Sequence, residues 1–149
     1  MTARTDGADE LEGAAPSPVP GGVVELTIPV ESDLLVLARL ATSTVASRSS
    51  FDIEEIDDLR LAVDELCLQV VGGRRSGRLH LRLEGTEDRI EVDCRYEGTG
   101  LIPDGDGPVD PGDGLSGRIL DALVDEHGPM TRDGLQGARL SKRRGTSDG

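Results

Sequence analysis

Apolar positions recur along the chain with two different periods, and the switches between them mark out the elements. Val23-Val24-Glu25-Leu26-Thr27-Ile28-Pro29 alternates after its first residues and stops at a proline, which predicts an edge strand. Leu34, Leu37, Ala38, Ala41 and Val45 then follow at helical spacing, with Ser32 or Asp33 placed to cap the helix. Leu35, Val36 and Leu40 flank that stripe, so the apolar surface of this helix exceeds one core face. After the polar break Ser47 to Ser50, a second helix starts near Asp52. It carries Ile53, Ile56, Leu59, Val63, Leu66 and Val70 on one stripe and stops at Gly72-Gly73, a C-terminal signal.

The period then changes from helical to alternating. Residues 78–83 and 89–96 predict two strands joined through Gly85-Thr86-Glu87-Asp88, a hairpin with one wet face. Residues 97–114 are rich in Gly, Pro and Asp and too long for a simple turn, which makes them a candidate functional loop. A third helix carries Leu115, Ile119, Leu120, Leu123 and Val124. The chain closes with a hairpin of 129–132 and 138–143, turning through residues 133–137. Strand, helix, helix, two strands, loop, helix and two strands predict an α+β two-layer sandwich, its antiparallel or mixed sheet covered on one face by helices. Residues 1–22 and 144–149 have the composition of tails that cannot bury enough apolar area to order themselves, leaving 23–143 as one domain.

Composition narrows the function. The chain has 149 residues, a formal net charge of −13 and one Tyr, one Phe and no Trp. Such a surface repels phosphate backbones and offers no aromatic platforms for bases, which argues against direct nucleic-acid binding. No apolar run approaches the roughly 20 residues of a membrane span, and the N-terminus lacks the apolar core of a signal peptide, so the expected compartment is the cytoplasm. Cys67 and Cys94 lie inside periodic apolar segments and read as small buried hydrophobes. His80 and His127 have no companions at metal-ligand spacing, and there is no P-loop, Rossmann fingerprint or Gly-x-Ser-x-Gly.

Three segments carry more specific chemistry. In Leu61-Ala62-Val63-Asp64-Glu65-Leu66-Cys67, Glu65 and Gln69 stand four residues apart on one helix face, so both can point at one ligand. Tyr96-Glu97-Gly98-Thr99-Gly100 follows the second strand, and Gly112-Asp113-Gly114-Leu115 leads into the third helix, a natural phosphate cradle. The chain resembles the GHKL (Bergerat-fold) ATPases, in the subgroup of RsbW-type anti-sigma factors and switch kinases, over residues 23–143. The resemblance implies that Glu65 is the catalytic group that polarises an attacking hydroxyl. It puts Gln69 where the family has a magnesium-binding Asn, and Tyr96 where an Asp reads the adenine amino group. Gly98, Gly100, Gly112, Gly114, Leu115 and Arg118 would then shape the nucleotide site.

The departures matter as much as the matches. Gln keeps the amide oxygen but adds a methylene, while Mg²⁺ demands near-ideal octahedral geometry. Tyr96 offers a hydroxyl in place of a carboxylate, and Glu97, one residue on, points to the other sheet face. Asp104, Asp106, Asp110 and Asp113 oppose a triphosphate electrostatically. The resemblance therefore implies an anti-sigma factor that sequesters an alternative sigma subunit, is released by a STAS-domain anti-anti-sigma partner and forms a homodimer, with ATP and Mg²⁺ binding weakened or lost. The alternative it implies is an active ATP-dependent serine kinase of the STAS partner.

Overall fold

The computed structural model describes residues 22–99 and 114–145. Strand β1 (Gly22–Pro29) leads through a 3₁₀ turn (Ser32–Leu34) to helices α1 (Val36–Ser47) and α2 (Ile53–Val71). Strands β2 (Arg78–Gly85) and β3 (Arg89–Glu97), helix α3 (Gly114–Leu123) and strands β4 (Glu126–Arg132) and β5 (Leu135–Arg143) complete it. The sheet runs β1-β2-β3-β5-β4 with every neighbouring pair antiparallel, so the two-layer α+β arrangement is as expected and no parallel pair enters it.

Helix α2 is the organising element. Asp52 and Glu55 form a reciprocal capping box at its start, and Gly72 closes it in the left-handed conformation at φ 58°. Leu59, Ala62, Val63, Leu66, Cys67 and Val70 are all buried along one stripe. They pack into one core with Leu79, Leu81 and Leu83 of β2, Ile90, Val92 and Cys94 of β3, and Ala138 and Leu140 of β5. Cys67 and Cys94 are free thiols within that core, their sulfurs 4.0 Å apart. Ile53, expected on the stripe, is instead 77% exposed, because it lies in the first turn beyond the reach of the sheet.

Helix α1 differs more from its expectation. Its first turn tightens into the 3₁₀ turn, where Leu34 and Leu35 amides bond to the Glu31 and Ser32 carbonyls, so neither Ser32 nor Asp33 caps α1. The buried stripe is Ala38, Thr42, Val45 and Ala46, while Leu37 faces solvent. These small side chains let the helix approach its neighbours closely, and Thr42 is tolerated because its hydroxyl donates to the Ala38 carbonyl at 2.7 Å. The last hairpin also turns more tightly than expected. Asp133 and Gly134 both take positive φ, 56° and 77°, the two-residue geometry that matches strand twist. Gly137 therefore lies within β5 opposite Arg95, where a Cβ would collide with the Cys94 carbonyl.

The other sheet face carries charge. Asp93 and Arg95 are buried there, with Arg132 reaching Asp93 at 3.3 Å and Arg95 contacting Asp93 and Asp133, each at 3.4 Å. Burial raises the Asp93 carboxyl above its ordinary range, and the arginines Arg132, Arg95 and Arg82 oppose that rise. The folded state thus holds the Asp93 proton more tightly than the unfolded state. Its contribution to stability is full below the ordinary value of 3.8 and declines as pH rises through the raised folded value. Asp93→Ala leaves buried Arg95 with the exposed Asp133 as its carboxylate partner and should cost about 3 kcal/mol in urea unfolding at neutral pH. A loss under about 1 kcal/mol would show that Asp133 and water, and not Asp93, balance Arg95.

Candidate functional site

Burying one stripe of α2 against the sheet leaves Glu65 and Gln69 on the flank facing α3. There they meet Ser116, in the first turn of α3. The Ser116 hydroxyl donates to Glu65 Oε2 at 2.6 Å and accepts from Gln69 Nε2 at 2.7 Å. All three side chains are partly buried. A hydroxyl 2.6 Å from a carboxylate is the short, charge-assisted geometry expected of an ionised acceptor. Sequence reasoning placed Glu65 and Gln69 together but missed Ser116, and only its position just behind Gly114-Leu115 pointed to the region.

Tyr96 stands at the end of β3 on the helix-facing side, continuing the row Ile90, Val92 and Cys94. Its hydroxyl donates to the Ser76 carbonyl at 2.7 Å, and the Arg74 guanidinium lies 4.2 Å above its ring. Arg74 is held in turn by donating to the Val70 carbonyl at 2.9 Å, at the C-terminus of α2. A Cβ on either Gly77 or Gly98 would lie 2.6 Å from the Tyr96 hydroxyl, so the room these glycines leave is taken by the phenol. Glu97 points to the opposite face, where His80 Nε2 contacts it at 2.6 Å and lowers its carboxyl below the ordinary range. Neither Arg74, Ser76 nor Gly77 was legible as a partner of Tyr96, because loop residues between a helix and a strand carry no periodic signal.

The remaining candidates are more scattered. Gly114 opens α3 with positive φ, 76°, and no described residue crowds it; Leu115 is 73% exposed and Arg118 is exposed. Gly100 and Gly112, with Asp104, Asp106, Asp110 and Asp113, lie outside the described residues. Among the described residues no cluster of His, Cys, Asp and Glu could hold a metal ion, and no helix is long and apolar enough to cross a membrane.

Sequence comparison with known proteins supplies the family. The serine-protein kinase RsbW of Bacillus subtilis is 30% identical over 119 residues, covering 69% of this chain and 74% of that protein. This chain belongs to the RsbW family of anti-sigma factors and serine-protein kinases, of the GHKL fold. The RsbW kinase of Bacillus velezensis is 29% identical over 128 residues, covering 75% and 80% of the two chains, and that of Halalkalibacterium halodurans 30% identical over 93 residues, covering 58% and 57%. No family model matches the chain.

An RsbW-family nucleotide site would need an adenine reader, a metal-binding oxygen and an unoccupied Glu65. In the described arrangement the chain's own groups engage Tyr96 and Glu65, and engage Gln69 through its nitrogen. Tyr96 is tied to Ser76, the Gln69 oxygen is buried while its nitrogen bonds Ser116, and Glu65 accepts from Ser116. These residues, so placed, do not match what a magnesium–nucleotide complex requires. Tyr96→Phe should cost about 1 kcal/mol in urea unfolding through the lost bond to Ser76. Tyr96→Leu should cost more, since it also removes the ring beneath Arg74. Equal stability of all three proteins would mean that the phenol is not anchored as described.

Proposed function

We propose that this RsbW-family chain acts in the cytoplasm as an anti-sigma factor, holding an alternative sigma subunit until a STAS-domain anti-anti-sigma partner displaces it, with ATP and Mg²⁺ binding weakened. The observation that carries this reading is Tyr96. Its phenol bonds the Ser76 carbonyl beneath Arg74, at the position where the resemblance implies an adenine-reading carboxylate. Such a chain loses catalysis more readily than it loses a surface, because partner binding needs the fold and phosphoryl transfer needs accurately placed metal and phosphates.

Charge supports the choice of partner. Glu54 and Asp57 are exposed on α2, and Asp58 and Asp64 partly so, in a chain of net charge −13. Sigma subunits engage DNA through basic surfaces, and opposite charge speeds and orients such an encounter. The exposed Val36 and Leu40 of α1 supply apolar surface for a homodimer. A second reading, an active serine kinase of the STAS partner, is favoured by one observation. The relatives this chain matches are named serine-protein kinases.

Titration with purified sigma and STAS proteins separates the two. Sigma binding at micromolar or tighter affinity without added nucleotide, weakening as salt rises, is the expected result. Failure to bind any sigma subunit of the host would end the anti-sigma reading. Phosphorylation of the STAS protein that disappears in Glu65→Ala, with sigma binding kept, would establish the kinase reading.

A further inference from the structure

Among the described residues the Ser116 hydroxyl, with its one proton, meets two polar side chains, and this fixes the direction of the hydrogen bonds between them. Ionised Glu65 can only accept, so the Ser116 proton goes to Oε2. Only lone pairs then remain for Gln69, which must present its NH₂. The amide oxygen is consequently on the side away from Ser116, and it is buried. Cations bind amide oxygens and not amide nitrogens. The amide standing where the resemblance puts a metal-binding Asn is thus turned with its nitrogen toward Ser116 and its oxygen buried on the other side.

An Asn at position 69 would be one methylene shorter, on the order of 1.5 Å, and would not span to a hydroxyl that Gln reaches at 2.7 Å. The departure at position 69 and the serine at 116 are therefore two halves of one contact. It joins the first turn of α3 to the middle of α2 and occupies the carboxylate and the amide together.

We infer that Ser116 is a latch: a positioning residue whose hydroxyl holds Glu65 and turns the Gln69 amide away from a divalent cation, keeping the phosphate–metal end of the fold closed. This inference rests on the proposed weakening of nucleotide binding and names the residue responsible at the metal end. Tyr96 plays no part in it, because Tyr96 stands at the adenine end.

The test uses a probe that needs no adenine pocket, inorganic tripolyphosphate with Mn²⁺, the bound metal being read by electron paramagnetic resonance on the full chain. Ser116→Ala and Gln69→Asn should each raise the affinity for the Mn²⁺–tripolyphosphate complex by about tenfold, the scale on which second-layer partners tune metal sites. Ser116→Thr, which keeps the hydroxyl, should bind as the parent does. The latch is overturned if Ser116→Ala leaves affinity unchanged, or if Ser116→Thr raises it equally, which would mark general loosening of α3. It is likewise overturned if the parent chain already binds the complex as tightly as the Ala variant. Sigma capture by the same proteins reports separately on the proposed function, since a chain that fails to bind sigma can still show the Ala–Thr difference.

Discussion

The burial of one stripe of α2 against the sheet is the constraint on which everything else depends. Leu59, Ala62, Val63, Leu66, Cys67 and Val70 can enter the core together only in one rotation of the helix. That rotation sends Asp64 toward Arg39 of α1, 3.2 Å away, and Glu65 and Gln69 toward Ser116 of α3. It also ends the helix where Arg74 can lie over Tyr96. Apolar packing thus brings each polar group of the candidate site within reach of its partner, and hydrogen bonds of individually about 1 kcal/mol then set its orientation.

Given that placement, the chemistry of the site follows from who occupies it. A helix flank bearing a carboxylate and an amide four residues apart is suited to a shared ligand, and here the chain supplies its own, the Ser116 hydroxyl. At the other end, the open space beside Gly77 and Gly98 is likewise filled by the Tyr96 phenol. A GHKL fold whose polar positions are satisfied internally retains its sheet and its helical layer. The RsbW-family relatives give the fold its lineage, and the side chains of this chain give the site its particular character.

Much of this was legible in the sequence where periodicity is strong. The α2 stripe, its Gly72 stop, and the β2–β3 hairpin follow from apolar spacing and turn residues, because burial imposes a period that sequence displays directly. The start of α1 was misplaced because a 3₁₀ turn replaces side-chain capping with backbone bonds, and those leave no residue signature. The Asp133-Gly134 turn was read too long because Gly137 resembles a turn glycine, although it serves the close approach of β5 to β3. Glu65, Gln69 and Tyr96 could be named from spacing and resemblance. Their partners Ser116, Ser76 and Arg74 could not, since contacts between residues far apart in sequence are created by the fold itself.

In the proposed reading the chain's own side chains fill the places where the resemblance puts a nucleotide. The most direct measurement is a crystal structure determined from the full chain in millimolar Mg-ATP. The account predicts Tyr96 Oη bonded to the Ser76 carbonyl, Ser116 Oγ between Glu65 and Gln69, and no nucleotide density beside them. Ordered ATP with the Tyr96 ring swung aside and the Gln69 oxygen on a magnesium ion would contradict it.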